Sequence, residues 1–245
     1  MARVKKQAGS RRLLKAVREA EALAGRPVVF RSLGRKRDGT IGFLVQGFHE
    51  QAGGAEHILL DDGLPAAARE ATAAHELAHI VQTAEGFPRA RVPPGKPYSK
   101  YGRLAERLSG LALDLHADRW ALKRGFDVAR ALASSALPEV MQAMSTRPVK
   151  SESAYKSAHK RSADGTDTLL LAVDYASFRL RLGRSGIFGE LDRLWTLRWP
   201  ESRRLGQELA RALARRRFGS ASSCRRVMET ALKLLKIPPE IIYVA

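Results

Sequence analysis

The stretch "AAHELAHIVQ", residues 73–82, carries the reading of this chain. Its histidines, His75 and His79, stand four residues apart in a run otherwise made of Ala73, Ala74, Leu77, Ala78, Ile80 and Val81. A helix turns once in about 3.6 residues, so this spacing puts both rings on one side, roughly 40° apart. Two imidazoles so placed can bind one tetrahedral Zn²⁺. Glu76 follows the first histidine and falls beside the metal rather than on it. There a carboxylate can take a proton from an activated water and pass it to the leaving amine. The bland alternative is two satisfied core histidines and a surface glutamate, because the H-E-x-x-H string also arises by chance. A metal site requires a third ligand.

The segment "LDLHADRWALKRGF", residues 113–126, offers one. Asp114 and Asp118 lie one turn apart on a second helix, while His116 between them points nearly the opposite way. Only one of these groups can face the first helix. Ala117 and Ala121 flank the aspartate face and let two helices approach closely, with Leu111, Leu115 and Leu122 at its margins. This favours Asp114 as third ligand and Asp118 as the acceptor that orients a ligand histidine. His116 is the rival, since imidazole is the commoner zinc ligand, and the sequence leaves that choice open.

Working outward, residues 11–24 read as an amphipathic helix with Leu13, Leu14, Val17 and Ala20 on one side, stopped by Gly25. "RPVVFRS", "TIGFLVQGF" and "AEHILLDD" read as short strands between Gly-rich turns. Asp61, Asp62 and Pro65 signal the start of the HELAH helix, which runs to about Glu85. "GFPRARVPPGKPYSKYG" has four prolines and no period, so it reads as a loop before a second helix over 104–123. Beyond residue 126 the signals are helical, broken at "LPEV", at 146–167, and at "GRSG", "WPES" and "FGSASS". The expected division is a basic helix at 1–26, a core at 27–126 and a helical basic region at 127–245.

The 245 residues carry a net charge of +18, unevenly spread: +9 over 1–40, −2 over 41–120 and +11 over 121–245. Basic flanks of this kind attract nucleic acid, acidic proteins or anionic surfaces, or merely keep a chain soluble. In residues 201–236, "ESRRLGQELARALARRRFGSASSCRRVMETALKLLK", arginines gather at the end of one helix and the start of the next. That pattern suits either a DNA-reading helical pair or a hairpin with a solvated face, and cations also favour a helix C-terminus. Trp120, Trp195 and Trp199 read as packing residues. A single cysteine, Cys224, excludes an internal disulfide. No run reaches the roughly 20 apolar residues of a membrane span. The expectation is a soluble, cytoplasmic protein without membrane contact.

"HILLDDGLPAAAREATAAHELAHIVQ" followed by "DLHADRWALKRGF" resembles the ImmA/IrrE-type metallopeptidases, in which an H-E-x-x-H helix precedes a helix with an E-x-x-A-[N/D] signature. The likeness covers residues 27–126. It implies an α+β fold: a minimal zincin-like core with a small sheet packed on the H-E-x-x-H helix, then a mainly helical basic half. It also implies zinc bound by His75, His79 and Asp114, with Glu76 as catalytic base and a protein or peptide as substrate. DNA-binding regulators are the substrates the resemblance suggests. Asp114 stands where the family has glutamate, one methylene longer. An edge strand for an extended substrate would be "AEHILLDD" or "IGFLVQGF". Tyr98 or Tyr101 would donate a hydrogen bond to the transition state. The alternative is an inactive zincin scaffold that regulates by binding nucleic acid or protein.

Overall fold

The computed structural model describes residues 10–33, 47–96, 98–135, 166–183 and 186–245. Most of the expected strand over 40–48, the break at "LPEV" and residues 146–165 lie outside them. The fold is α+β with a small mixed sheet. The described residues fall into two compact units, one within Met1–Phe87 and His116–Ala143, the other within Pro88–Leu115 and Met144–Ala245.

In the first unit, helix α1 (Arg11–Ala24) starts and stops where capping chemistry dictates. The Ser10 hydroxyl accepts from the Leu13 N–H, and Gly25 closes the end at φ 65°. Ser10 also donates its N–H and its hydroxyl to the two carboxylate oxygens of Glu70, at 2.6 and 2.8 Å. Leu13, Ala16 and Ala20 are buried, but Leu14 is exposed, against expectation. The packed stripe follows i, i+3 and i+7, and Leu14 lies about 100° away from it.

Strands β1 (Val28–Ser32), β2 (Gly47–Ala52) and β3 (Ala55–Leu60) form a sheet of order β1-β3-β2. β1 runs parallel to β3, with Phe30 opposite Ile58, and β2 runs antiparallel to it. The β2–β3 hairpin turns on Gly53 and Gly54, both at positive φ (57° and 77°), as a type I′ turn demands. β3 is therefore the central strand. Its backbone is bonded on both sides, so "AEHILLDD" is not an edge; the outer described strands are β1 and β2.

Helix α2 (Ala66–Ala84) begins after Pro65 and is followed by Gly86 at φ 67°. It is buried nearly all round, through Ala71, Ala73, Ala74, Leu77, Ala78, Ile80 and Val81. Its alanines allow close neighbours. At Gly47 a Cβ would lie 2.8 Å from Thr72 Cγ2, so sheet and helix meet with no room for a side chain. α1, the sheet and helix α4 (Val128–Ser135) join α2 in one apolar core that includes Ala117, Trp120 and Ala121.

Helix α3 (Tyr98–Leu122) is longer than expected and absorbs the end of the proposed loop. At Gly102 a Cβ would sit 2.6 Å from the Tyr98 ring, so glycine leaves room for that ring. The ring lies over the helix one turn on, and what read as a loop residue is a packing site. Near the end of α3, the Arg124 guanidinium lies 3.5 Å above the Trp120 ring and pairs with Glu19.

In the second unit, β4 (Ala90–Arg91) pairs with β5 (Tyr243–Val244), and the helices are α5 (Thr166–Leu182), α6 (Gly186–Arg198), α7 (Pro200–Leu213) and α8 (Ala221–Leu234). They break where "WPES" and "FGSASS" stand, while Arg184 and Ser185 of "GRSG" lie outside the described residues. Pro200 fits the first turn of α7, and Ser220 with Ser223 forms a capping box on α8. Gly206 lets α7 touch α5; a Cβ there would lie 2.6 Å from the Ala172 carbonyl oxygen and 2.7 Å from the Tyr175 ring. Trp195 is fully buried, edge-on to Tyr175, Phe178 and Trp199. Among the described residues, no helix is long and apolar enough to cross a membrane.

Candidate metal centre

The centre is built on α2 and α3. His75 is buried and His79 half-buried, one turn apart, with ring centroids 4.7 Å apart and planes near perpendicular. Their Nε2 atoms face each other at 3.1 Å. The opposite nitrogen of each ring is held by an oxygen: Nδ1–H of His75 donates to Asp118 Oδ1 at 2.9 Å, and Nδ1–H of His79 donates to Gln82 Oε1 at 2.8 Å. Those two bonds place a proton on each Nδ1. In a neutral ring with Nδ1 protonated, Nε2 carries the lone pair. The two Nε2 atoms thus converge on one point, where a proton or a metal ion between them is favourable.

α3 runs unbroken through residues 114–118, so Asp114 lies one turn before the Asp118 that holds His75. His75, His79 and Asp114 each offer one ligand atom, and all these atoms lie within 4.8 Å of one another. This His-His-Asp group could hold a metal ion. The fit is chemical as well as spatial. Two nitrogens bound tetrahedrally at about 2.0–2.1 Å stand about 3.3 Å apart, close to the separation found here. Two nitrogens and one oxygen are a donor set that several divalent metal ions accept.

His116 is placed elsewhere. Its Nδ1 accepts from Gln82 Nε2 at 2.9 Å, and its ring lies 4.6 Å from that of Phe87. Burial pushes its pKa down to about 4, helped by Lys123, Arg119 and Arg124. It is a neutral ring at the end of a chain running from His79 through Gln82. Gln82 is the member that the sequence reading missed. It is fully buried, and a glutamine three residues after His79 in an apolar run was the available signal.

Glu76, the next residue after His75, is buried, so the surface-glutamate alternative does not hold. Tyr98 and Tyr101 belong to the first turns of α3 rather than to a loop. Tyr98 is exposed and its hydroxyl donates to Glu106 at 2.7 Å, which raises its pKa. Tyr101 is half-buried. In the basic half, Arg215, Arg216, Arg217, Arg225 and Arg226 are all exposed, and Arg225 also donates to the Val244 carbonyl at 2.9 Å. Cys224 is buried, against the Ala112 carbonyl at 3.7 Å. No family model, no curated protein and no solved structure matches this chain.

Proposed function

We propose that this chain is a zinc-dependent endopeptidase with a minimal zincin-like core, as its resemblance to the ImmA/IrrE-type enzymes implies. The observation that carries the reading is the pair of Nε2 atoms facing each other at 3.1 Å, beside the Asp114 carboxylate. A small mixed sheet packed on the H-E-x-x-H helix supports the same reading.

His75, His79 and Asp114 would hold the ion, which when bound supplies a polarised water and a Lewis acid for the scissile carbonyl. The chain's own groups do the rest. Asp118 and Gln82 keep both Nδ1 atoms protonated, so both Nε2 lone pairs stay available. Glu76 is the proton carrier. Its carboxylate accepts the proton from the attacking water and returns it to the leaving nitrogen. An outer strand of the sheet, β1 or β2, would pair with an extended peptide, giving backbone recognition without strong sequence preference.

The test compares the native chain with Glu76→Gln for zinc content and for cleavage of an unfolded protein substrate. The expected result is equal zinc and a loss of cleavage by about 10²–10⁴-fold in the variant. Unchanged cleavage in Glu76→Gln, or a native chain that takes up no zinc, would sink the proposal. The exposed arginines from 215 to 226 favour a second reading, in which the basic half binds an anionic partner such as DNA. That binding would weaken steeply with salt and ignore the Glu76 substitution.

A further inference from the structure

We propose that Arg181 is a positioning residue that sets how Asp114 presents its carboxylate to the ion; this rests on the metal-site reading above. Arg181 lies in the last turn of α5, its side chain only 13% exposed, with Nη1 3.6 Å from Asp114 Oδ2. The cation has a bland reason to be there, since the end of a helix favours positive charge. That reason does not account for its partner. A guanidinium drawn out of water needs a carboxylate beside it, and a carboxylate beside this one belongs to the candidate third ligand.

The consequence is chemical. A carboxylate with both oxygens available can bind an ion through both, and the second oxygen then occupies the position that a catalytic zinc keeps for water. A guanidinium beside Oδ2 competes with the ion for that oxygen, which favours binding of the ion through one oxygen only. Asp114 then binds through one atom, giving three protein ligands and one open position. Arg181 acts through Asp114 and touches neither substrate nor reacting atoms.

The experiment uses the full-length chain loaded with Co²⁺, whose visible absorption is intense with four ligands and weaker with five. The native chain is expected to take up one cobalt with four-ligand bands. Arg181→Met is expected to take up cobalt but lose band intensity, as the carboxylate closes on the ion without the competing guanidinium. Arg181→Lys, which keeps a cation in place, is expected to restore the native bands. A purely structural arginine would leave the spectrum of every folded variant unchanged, and that outcome overturns the proposal. If Arg181→Met does not fold, Arg181→Gln is read by the same spectrum, and native-like bands in it overturn the proposal equally. A native chain that binds neither cobalt nor zinc removes the metal site itself, and this inference with it.

Discussion

Two polar clusters inside this protein handle charge in opposite ways. In the second unit, Asp192 on α6 accepts from both Nε and Nη2 of Arg203, at 2.8 Å each, and from the Tyr175 hydroxyl. The guanidinium holds the Asp192 carboxyl below its ordinary pKa, and burial followed by the neighbouring carboxylate pushes the Tyr175 phenol up. This cluster brings its own cation and is complete. On α2 and α3, Asp118 and Gln82 instead accept from the Nδ1 atoms of two rings whose Nε2 atoms face each other. A cluster closed by arginine ties helices together, whereas one whose ring nitrogens face each other can take a cation between them. Both clusters are hydrogen-bonded; what separates them is whether the cation is already part of the chain.

The largest expected effect tests that difference directly. His75→Ala or His79→Ala should lower zinc affinity at least about 1,000-fold, roughly 4 kcal/mol, read by competition with a chelating indicator. Arg203→Met should leave zinc affinity unchanged. If His79→Ala retains native affinity, the two clusters are alike and the comparison fails.

Next in size is Gly206→Ala, which drives a methyl group into the Ala172 carbonyl and the Tyr175 ring. It should cost about 3 kcal/mol in denaturant unfolding. Zinc content should be native, since the strain falls on the Asp192 cluster.

Acid separates the clusters by pH window. His116 is neutral in the folded chain, with a pKa of about 4 against 6.5 when free. Unfolded chains therefore bind its proton first, and its contribution is full above 6.5 and lost as pH falls toward 4. Allowing for solvent screening, this amounts to about 2 kcal/mol in the metal-free chain. Replacing His116 by glutamine should flatten that slope. The Asp192 contribution persists to lower pH, because its folded pKa lies below the ordinary carboxylate value. Coincident loss of both in one window, followed by urea unfolding at each pH, would contradict the assignment.

The smallest effect is the stability cost of Arg203→Met itself. Both partners keep about a quarter of their side-chain surface in solvent, so about 1–2 kcal/mol is expected. A cost above that of Gly206→Ala would mean that the cluster is more buried in function than its exposure suggests.

Much of this was legible in the residues, for local reasons. Ser10 and Gly25 bound α1, Pro65 precedes α2, and Gly53-Gly54 makes a hairpin, because each acts on backbone within a few positions. Misreadings came where a distant or overlying group decided. Gly102 looked like a loop residue until the Tyr98 ring lay over it. Leu14 looked like core because pattern alone does not choose between neighbouring stripes. β3 looked like an edge because alternation does not reveal which strands flank it.

The sequence by itself determined that His75 and His79 share one side of a helix, with Glu76 beside them and two aspartates one turn apart on a later helix. Helical periodicity is covalent geometry and needs no neighbours. Only the tertiary structure decided which side of α3 joins the group, that Gln82 links His79 to His116, and that Arg181 meets Asp114. The rotation of one helix against another is settled by packing volumes and hydrogen bonds summed over residues far apart in the chain. No single stretch of sequence holds that sum.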